Sequence, residues 1–369
     1  MKIAVVAHIR YAIAEPFSGG MEAHTKALCE GLRAAGHHVT LFAAAKSNDT
    51  DLVPLCDPYD DVLPWEIWRG TERLADFQER AFAAVLPYVR LHGYDAVHNN
   101  SLFPQLIEWC AEEGVPCVTT QHVPPFENMV DAVRFVADRP EAVVTVPSHD
   151  QAVMWDRRGC PNLTVVPNGI DTTFWCPNTK RGDYFTWAGR IVANKGTAEA
   201  VRAAQLGGFP LRLFGPIEDR SYFAAEVEPY LGGSIEYCGH LTGARLRDQI
   251  AGGRGALVTP MWDEPFGLVA AEALACGVPV AAFDRGALHE VVGDCGILVP
   301  PGDATELARA VLALGAIDVA RCRARATADL SIPAMIERYE DCYEVAISGA
   351  RSAAAASSCA RTTALLANG

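Results

Sequence analysis

The chain has 369 residues, about half of them apolar, which is too long for one ordinary core and enough for two domains of roughly 150 to 200 residues each. Its formal net charge of −14 disfavours nucleic acids and anionic lipid surfaces as partners, since both attract basic patches. No apolar run reaches the ~18 residues that a membrane helix needs, and the first residues show no signal-peptide cleavage site. The sequence therefore predicts a cytoplasmic protein without strong membrane association.

Short apolar runs alternate with helical segments from end to end, and this pattern is typical of parallel sheets built from βαβ units. In the first half, a helix over 21–35 follows the first run and ends at Gly36, a residue that favours a left-handed helix cap. Strands are predicted in this half at 2–7, 38–43, 96–99, 116–120, 142–146 and 163–167.

The second half repeats the scheme. Between the halves, the segment 167–183 is rich in Pro, Gly, Asn and Asp and is predicted to be a linker. An amphipathic helix is predicted over 330–347, and the small-residue tail after it is expected to fray, although its alanines could extend the helix. Strands are predicted at 184–189, 211–215, 234–239, 256–260, 278–283 and 296–300. The pattern predicts an α/β protein with two Rossmann-like, doubly wound domains.

The twelve cysteines are scattered, mostly inside apolar segments, and this favours buried free thiols over disulfides. Cys322 lies between two arginines without a CxxC pattern or a histidine partner, so we expect no structural zinc site there.

The segment EPFGLVAAEA, residues 264–273, places two glutamates around a predicted helix start between two buried strands. Glu264 lies in the strand-to-helix loop, and Glu272 lies about two helical turns further on. Ligands of parallel sheets bind at this carboxyl end of the strands, and the first-turn amides of a helix favour an anion. These amides belong to Phe266, Gly267, Leu268 and Val269.

Two interpretations of the glutamates are open. Glu264 could hydrogen-bond a ring hydroxyl of a sugar and Glu272 a diol beyond the phosphates. Alternatively, Glu264 is a first-turn acid favoured by the helix dipole, and Glu272 is an exposed helix residue. The segment WAGRIVANKG favours the first interpretation, because Arg190 and Lys195 follow a strand and two cations suit a diphosphate. As plain surface residues, these cations would contribute almost nothing.

Gly19 and Gly20 open the first helix after the first strand and offer backbone amides for close approach. No GxGxxG motif follows this strand, which disfavours a dinucleotide-dependent oxidoreductase, and GxxxxGK[ST] is absent as well. The triplet DTD, with Asp49 and Asp51, has the form of a metal-binding DxD motif, but it lies in a polar loop of a doubly wound domain. We expect no metal ligands there.

Together, the segment from Glu264 to Glu272, the pair Arg190 and Lys195, and the Gly19-Gly20 loop resemble the retaining GT-B glycosyltransferases of family 4. The resemblance covers about residues 1–347, and VPNGID at the hinge is similar as well. It implies a GT-B fold in which the two domains face an interdomain cleft. The implied parts are an N-terminal acceptor domain (1–170), a C-terminal nucleotide-sugar donor domain (171–330), a helix that crosses back (331–349) and a flexible tail (350–369).

The resemblance also implies roles. Glu264 would approach the donor sugar, Glu272 would bind the ribose hydroxyls, and the two cations would hold the diphosphate. His122, which follows a strand in VTTQHVPPF, would lie near the reacting carbon; alternatively, it is a loop histidine bonded to the backbone. Gln121 and Asn194 depart from the family pattern. The family more often has Thr or His in place of Gln121, and Glu in place of Asn194. The positions implied beside the nucleotide base are Gly239, His240 and Leu241.

These expectations describe a retaining glycosyltransferase that moves a hexose-type sugar from a UDP-sugar to a hydroxyl of a soluble acceptor, without cofactor or metal. The acidic first domain disfavours a membrane-lipid acceptor. Trp65 and Trp68 are candidate acceptor contacts, or else they pack a loop. Two rival functions are a nucleotide-sugar 2-epimerase of similar fold and a non-catalytic nucleotide-sugar binding protein.

Overall fold

The computed structural model describes residues 1–62, 65–178 and 180–367. The chain divides into two compact units, one formed by Met1–Val166 with Met335–Gly369 and the other by Pro167–Ala334. Each unit contains its own parallel sheet with helices packed against it. The chain therefore contributes to the first unit twice, from both of its ends.

The first sheet consists of β1 (Lys2–Ala7), β2 (His38–Ala43), β3 (Leu52–Pro54), β4 (Ala96–Asn100), β5 (Cys117–Thr120), β6 (Ala142–Val146) and β7 (Thr164–Val165). All neighbours pair in parallel, in the order β3-β2-β1-β4-β5-β6-β7. The central strand β1 is fully buried after Lys2, which explains why it reads as a continuous apolar run. The strand order reverses at β1, and ligands of open parallel sheets bind at such a switch point.

Helices cover the first sheet, and side-chain caps mark the start of two of them. Thr71 accepts a hydrogen bond from the amide of Leu74, and Ser148 accepts one from the amide of Gln151. The helices are α1 (Gly20–Ala34), α2 (Tyr59–Val62), α3 (Trp65–Trp68), α4 (Glu72–Phe82), α5 (Val85–Leu91), α6 (Pro104–Glu112), α7 (Glu127–Phe135) and α8 (His149–Asp156).

The second sheet consists of β8 (Phe185–Ala188), β9 (Leu211–Phe214), β10 (Ile235–Tyr237), β11 (Gly255–Val258), β12 (Val280–Phe283) and β13 (Gly296–Val299). It is parallel throughout, in the order β10-β9-β8-β11-β12-β13. Side chains along β12 alternate between two apolar cores: Val280 and Ala282 belong to one cluster, and Ala281 and Phe283 to the other. Both faces of this sheet are therefore buried.

The helices of the second unit are α9 (Thr197–Gly207), α10 (Arg220–Tyr222), α11 (Gly243–Ala251), α12 (Leu268–Ala275), α13 (Leu288–Val292), α14 (Ala304–Ala313) and α15 (Val319–Asp329). Helices α9 and α14 pack against each other, as do α12 and α15.

The last helix, α16 (Ile332–Ala367), belongs to the first unit from Met335 onwards. Tyr339 and Tyr343 on this helix are fully buried. The Ala-rich segment that we expected to be a flexible tail continues the same helix as far as Ala367, in keeping with the high helix propensity of alanine.

The predicted α/β fold with two doubly wound domains is confirmed, and the predicted strands agree with the observed ones within about two residues at each end. Strand β3 was not predicted, because it has only three residues and ends in proline. Helix α12 begins at Leu268 and not near Phe266, whose side chain is buried in the core.

Eleven of the twelve cysteines have a described side chain; these eleven are free thiols, as predicted, and eight of them are buried. No helix among the described residues combines the length and the apolar character that crossing a lipid bilayer requires.

Candidate functional site

Two loops at the carboxyl edge of the second sheet bring Lys195 and Glu264 together. Lys195 ends a single 3₁₀ turn between β8 and α9, and Glu264 lies between β11 and α12. Lys195 Nζ donates a hydrogen bond to Glu264 Oε2 at 2.6 Å. Trp262 Nε1 donates to the same oxygen at 3.0 Å, and Nζ lies 4.9 Å from the centre of a Trp262 ring. The two predicted residues thus form a partly shielded ion pair, supported by an indole.

Thr259, directly after β11, joins these two loops. Its hydroxyl donates to the carbonyl of Gly196 at 2.8 Å and accepts from Trp187 Nε1 at 2.9 Å. The amide of Met261 donates to the carbonyl of Asn194 at 2.8 Å. Gly196 has φ +67, and a Cβ there would lie 1.9 Å from the Thr259 carbonyl oxygen. Only glycine permits this approach, which sets the position of the Lys195 turn.

Replacing Gly196 with alanine is expected to destabilise the protein much more than replacing Gly208, which has φ +64 at the other end of α9 and no atom near a new Cβ. Gly208→Ala carries only the left-handed backbone cost of about 1 to 2 kcal/mol. Gly196→Ala adds about 1 to 3 kcal/mol for the steric overlap. Urea unfolding measures both variants, and equal losses of stability would contradict the proposed contact with Thr259.

The loop after β12 holds the backbone of Glu264. The amide of Ala287 donates to the Glu264 carbonyl at 2.8 Å. Gly286 has φ +59, and a Cβ there would lie 2.3 Å from the same oxygen. Arg285 Nε donates to Asp263 Oδ1 at 3.1 Å. Three successive strand ends, those of β8, β11 and β12, therefore determine where the carboxylate lies.

Arg190 follows β8 directly and forms an ion pair with Glu218, which lies in the loop after β9. The two side chains are 43% and 47% exposed, so water screens this pair. Both predicted phosphate-binding cations therefore have carboxylate partners in this structure, and an anionic ligand must replace or share them.

Gly267, the residue that caps the start of α12, lies close to Glu264 in the chain and has φ +96. A Cβ on Gly267 would lie 2.6 Å from Leu288 Cδ2, so this position requires glycine for the chain's own packing. Leu268 and Val269 provide the first helical amides, which have no acceptor within a helix. Phe266 contributes only its backbone to this region, because its side chain is part of the core.

Glu272 is not the exposed helix residue of the alternative interpretation. Its side chain retains only part of its surface in contact with solvent, and burial raises the pKa of its carboxyl to about 8. Its backbone carbonyl accepts from the amide of Cys276, whereas burial alone accounts for the raised pKa of its carboxyl. A carboxyl of this kind is largely protonated at neutral pH and can both donate and accept hydrogen bonds with a diol.

The raised pKa of Glu272 predicts that the folded state loses stability as the pH rises. Below the ordinary pKa of 4.5, the Glu272 carboxyl is protonated in both the folded and the unfolded state. Between pH 4.5 and about 8, it is ionised in the unfolded chain but still protonated in the folded protein. We expect the free energy of unfolding to fall by about 1 to 3 kcal/mol more in the wild type than in Glu272→Gln between pH 5 and 8, because solvent screens part of the full shift. Parallel pH profiles for the two proteins would contradict this.

The positions implied beside a base follow β10. The carbonyl of Gly239 accepts from the amide of Gly215 at 3.1 Å, while His240 is exposed and Leu241 is partly buried. A Cβ on Gly215 would lie 1.8 Å from the carbonyl oxygen of Gly189. Glycines thus follow three adjacent strands, β8, β9 and β10, and leave backbone without side chains at this edge.

In the first unit, the loop before α1 pairs its glycines with a carboxylate. Gly19 precedes the helix, Gly20 is its first residue, and a Cβ on Gly19 would lie 3.3 Å from Glu22 Oε2. Glu22 Oε1 lies 3.1 Å from His8 Nε2. Burial alone would raise the pKa of the Glu22 carboxyl. The hydrogen bond and charge of His8, together with the amides of Glu22 and Gly19, outweigh burial, so the pKa lies below its ordinary value. The Gly19 amide therefore faces the chain's own carboxylate.

His122 lies just after β5 and is 9% exposed. Its Nε2 lies 3.3 Å from Asn100 Oδ1, so its hydrogen bond is to a side chain and not to the backbone. Its ring centre lies 4.3 Å from that of His24. Burial, followed by the charges of His24 and His8, holds the pKa of His122 well below its ordinary value. The imidazole is therefore neutral at physiological pH.

The DxD carboxylates are bound within the fold. Asp49 accepts from both terminal nitrogens of Arg33, at 2.5 and 3.0 Å, and Asp51 accepts from the Thr40 hydroxyl at 2.7 Å. Among the residues that the structure describes, no group of three or more His, Cys, Asp or Glu side chains is arranged to hold a metal ion. Cys322 is buried beside the carbonyl of Cys295.

Of the two candidate acceptor contacts, Trp68 packs against the first-unit core, with the Arg73 guanidinium 3.9 Å from its ring centre. The Trp65 side chain lies outside the described part of the structure.

Sequence reasoning missed several polar residues of these sites. Trp262 could have been noticed two positions before Glu264, because the N–H of a buried or partly buried tryptophan usually finds a hydrogen-bond acceptor. Asn100 and His98 carried a signal too, as polar residues in the fully buried strand β4. Glu218 had none, since its contact with Arg190 depends on the path of the loop after β9.

Family models match most of the chain. A family model described as Glycosyltransferase Family 4 matches residues 18–174, and one described as Glycosyl transferases group 1 matches residues 182–316. The D-inositol 3-phosphate glycosyltransferase of Arthrobacter sp. (strain FB24) is 25% identical over 352 residues, covering 80% of this chain and 82% of the relative.

Two solved structures share the fold. Sucrose-phosphate synthase from Thermosynechococcus elongatus has a TM-score of 0.74 at 22% identity, and the match covers 93% of this chain and 98% of the synthase chain. Anabaena HepE in complex with UDP-glucose has a TM-score of 0.69 at 18% identity, and the match covers 92% of this chain and 98% of the HepE chain.

Proposed function

Since the chain belongs to the glycosyltransferases of family 4 and group 1, we propose that it is a retaining hexosyltransferase that uses a UDP-sugar as donor and a soluble hydroxyl compound as acceptor. The observation that carries this proposal is the group formed by Lys195, Glu264 and Trp262 beside the start of α12. It combines a cation for a diphosphate with a carboxylate for a sugar hydroxyl. The solved complex of Anabaena HepE with UDP-glucose supports the choice of donor.

The leaving group determines the chemistry of the second unit. When the bond between the anomeric carbon and the diphosphate breaks, negative charge develops on the departing oxygen. Lys195, Arg190 and the first amides of α12 stabilise this charge, and such electrostatic stabilisation is usually the largest catalytic contribution. The bond to the acceptor oxygen forms on the same face, and the acceptor proton passes to a departing phosphate oxygen.

Glu264 serves recognition and not nucleophilic attack. Its Oε2 already accepts from two donors, Lys195 and Trp262, and this lowers its nucleophilicity. The other oxygen, Oε1, has no partner among the described residues and remains available to a sugar hydroxyl. Glu272, about one turn after the start of α12 at Leu268, suits the ribose diol.

We assign donor binding to the second unit and acceptor binding to the first. The net charge of −14 argues against a lipid acceptor, because a negatively charged protein is repelled by anionic membranes. The free thiols suit a reducing compartment, and we therefore place the enzyme in the cytoplasm.

A release assay tests this function. The protein is incubated with UDP-glucose or UDP-N-acetylglucosamine and a panel of soluble acceptors, and both UDP and the sugar product are measured. Acceptor-dependent UDP release with retained anomeric configuration is expected. Conversion of the donor alone would instead indicate the 2-epimerase, and binding of the donor without any turnover would indicate a binding protein.

Turnover is expected to survive chelation of divalent ions, because protein cations and helix amides neutralise the diphosphate. The assay compares initial rates in EDTA with those after addition of magnesium or manganese. A loss of activity in EDTA that either metal restores would overturn this prediction and reopen the question of Asp49 and Asp51. The variant Asp51→Asn then tests whether the DxD triplet is responsible.

A further inference from the structure

A chain of hydrogen bonds crosses the interior of the first unit from α16 to His122. The Tyr343 hydroxyl lies 2.7 Å from His98 Nδ1, and His98 Nε2 lies 3.2 Å from Asn100 Oδ1 and 3.1 Å from Thr120 Oγ1. The same Oδ1 lies 3.3 Å from Nε2 of His122. Tyr343, His98 and Asn100 are fully buried, so water does not compete for these contacts.

The chemistry of the amide oxygen sets the direction of every hydrogen bond in this chain. With its oxygen facing the two rings, the Asn100 amide only accepts, so both imidazoles present an N–H at Nε2, and the Thr120 hydroxyl can accept from the same N–H of His98. A neutral imidazole has a single N–H; His98 Nδ1 therefore carries a lone pair and accepts from the Tyr343 hydroxyl. Burial lowers the pKa of His98 to about 3 and that of His122 well below its ordinary value, which keeps both rings neutral.

The same proton count leaves His122 with a lone pair on Nδ1. This atom has no hydrogen-bond partner among the described residues. His24 packs edge-on against the ring, with 61° between the planes, and its own nitrogens are buried without partners. His24 therefore restrains the plane of the His122 ring without competing for its nitrogen.

We infer that Asn100 is a positioning residue that holds His122 as its Nε2–H tautomer, so that the Nδ1 lone pair accepts a hydrogen bond from a ligand hydroxyl, and that Tyr343 enforces this polarity from α16. His122 is then a fixed acceptor and not a proton donor. The tautomer follows from the buried contacts alone. Only the identity of the hydroxyl, on the sugar or on the acceptor, rests on the proposed function.

Nitrogen NMR of the ligand-free, full-length protein tests the tautomer without any substrate. Long-range proton–nitrogen correlation of ¹⁵N-histidine protein separates the two neutral tautomers and the charged ring. The His122 signals are identified by their loss in His122→Gln. We expect Nε2–H tautomers at His98 and His122 that do not change between about pH 6 and 8. An Nδ1–H tautomer at His122, as in the reversed chain with the Asn100 amide turned over, would overturn the inference.

Two tyrosine variants test the role of α16. Tyr343→Phe removes the donor to His98 Nδ1, whereas Tyr339→Phe removes a hydroxyl of the same size, one turn earlier, whose hydrogen bond reaches His98 only through the Thr120 hydroxyl and leaves the donor to Nδ1 in place. We expect Tyr343→Phe to give mixed His98 tautomers and to lower turnover by about 2- to 10-fold. Tyr339→Phe should retain the wild-type tautomers. Unchanged His98 signals in Tyr343→Phe would remove Tyr343 from the chain.

Asn100→Leu removes the shared acceptor and should abolish the Nε2–H preference of His122. If this variant does not fold, the wild-type spectrum still decides the inference. If the tautomer is as expected and no transfer activity is found, the proposed function fails while the positioning of His122 stands.

Discussion

Replacing Lys195 with alanine is expected to weaken UDP binding by about 10- to 100-fold and to lower turnover by a similar factor. Lys195 is partly buried, with 23% of its side chain exposed, so its charge is less screened than that of a surface lysine. The substitution also leaves the Glu264 carboxylate without its counter-ion, next to the proposed diphosphate. Repulsion then adds to the lost contact.

Isothermal titration with UDP measures this effect. Lys180→Ala is a matched control, because Lys180 is an exposed lysine of the same unit that precedes β8. Arg190→Ala should have a smaller effect, about 10-fold, since its side chain is more exposed. Its control is Arg254→Ala, an ion-paired arginine at the amino end of β11. Wild-type affinity in both Lys195→Ala and Arg190→Ala would sink the diphosphate assignment.

Replacing Glu264 with glutamine is expected to separate binding from turnover. Losing the carboxylate frees Lys195 from its 2.6 Å ion pair and removes a negative charge beside the phosphates. Free UDP should therefore bind at least as tightly as to the wild type. Turnover should fall by about 10- to 100-fold, and discrimination among UDP-sugars should weaken, because the sugar hydroxyl loses a charged acceptor.

Glu272→Gln provides the contrast to this result. Its proposed partner is the ribose, so it should weaken UDP and all UDP-sugars by the same factor. The double variant with Lys195→Ala and Glu264→Gln should bind UDP more tightly than the sum of the two single effects predicts, because the two residues interact directly. Identical profiles for the two glutamate variants against UDP and UDP-sugars would show that this division of roles is wrong.

The architecture was predictable because both sheets are buried on both faces. Strands such as β1 and β12 read as uninterrupted apolar runs between polar loops, and their spacing indicates parallel crossovers. The short strand β3 escaped prediction, because three residues that end in proline carry no periodic signal. The start of α12 moved by two residues, since Phe266 faces the core and Gly267 adopts a left-handed conformation.

The site was predictable as a set of residues but not as a set of contacts. Lys195 and Glu264 are 69 positions apart, and their pairing depends on how Gly196 and Thr259 bring the two loops together. Sequence patterns report which side chains can be charged, but not which charge is already neutralised by a neighbour. The buried network around His98 was missed for a related reason. The role of a polar residue inside a strand depends on its hydrogen-bond partners, and those of His98 lie on β5 and α16, far away in the sequence.

The contribution of α16 to the first unit has a consequence for biosynthesis. Translation proceeds from the amino end, and Met335–Gly369 is made only after the whole second unit, Pro167–Ala334, has been synthesised. Only then can Tyr339 and Tyr343 take their buried positions in the first unit. The unit that begins to fold first on the ribosome is therefore completed last, and nascent chains that lack this helix expose to chaperones the interior surface that it covers.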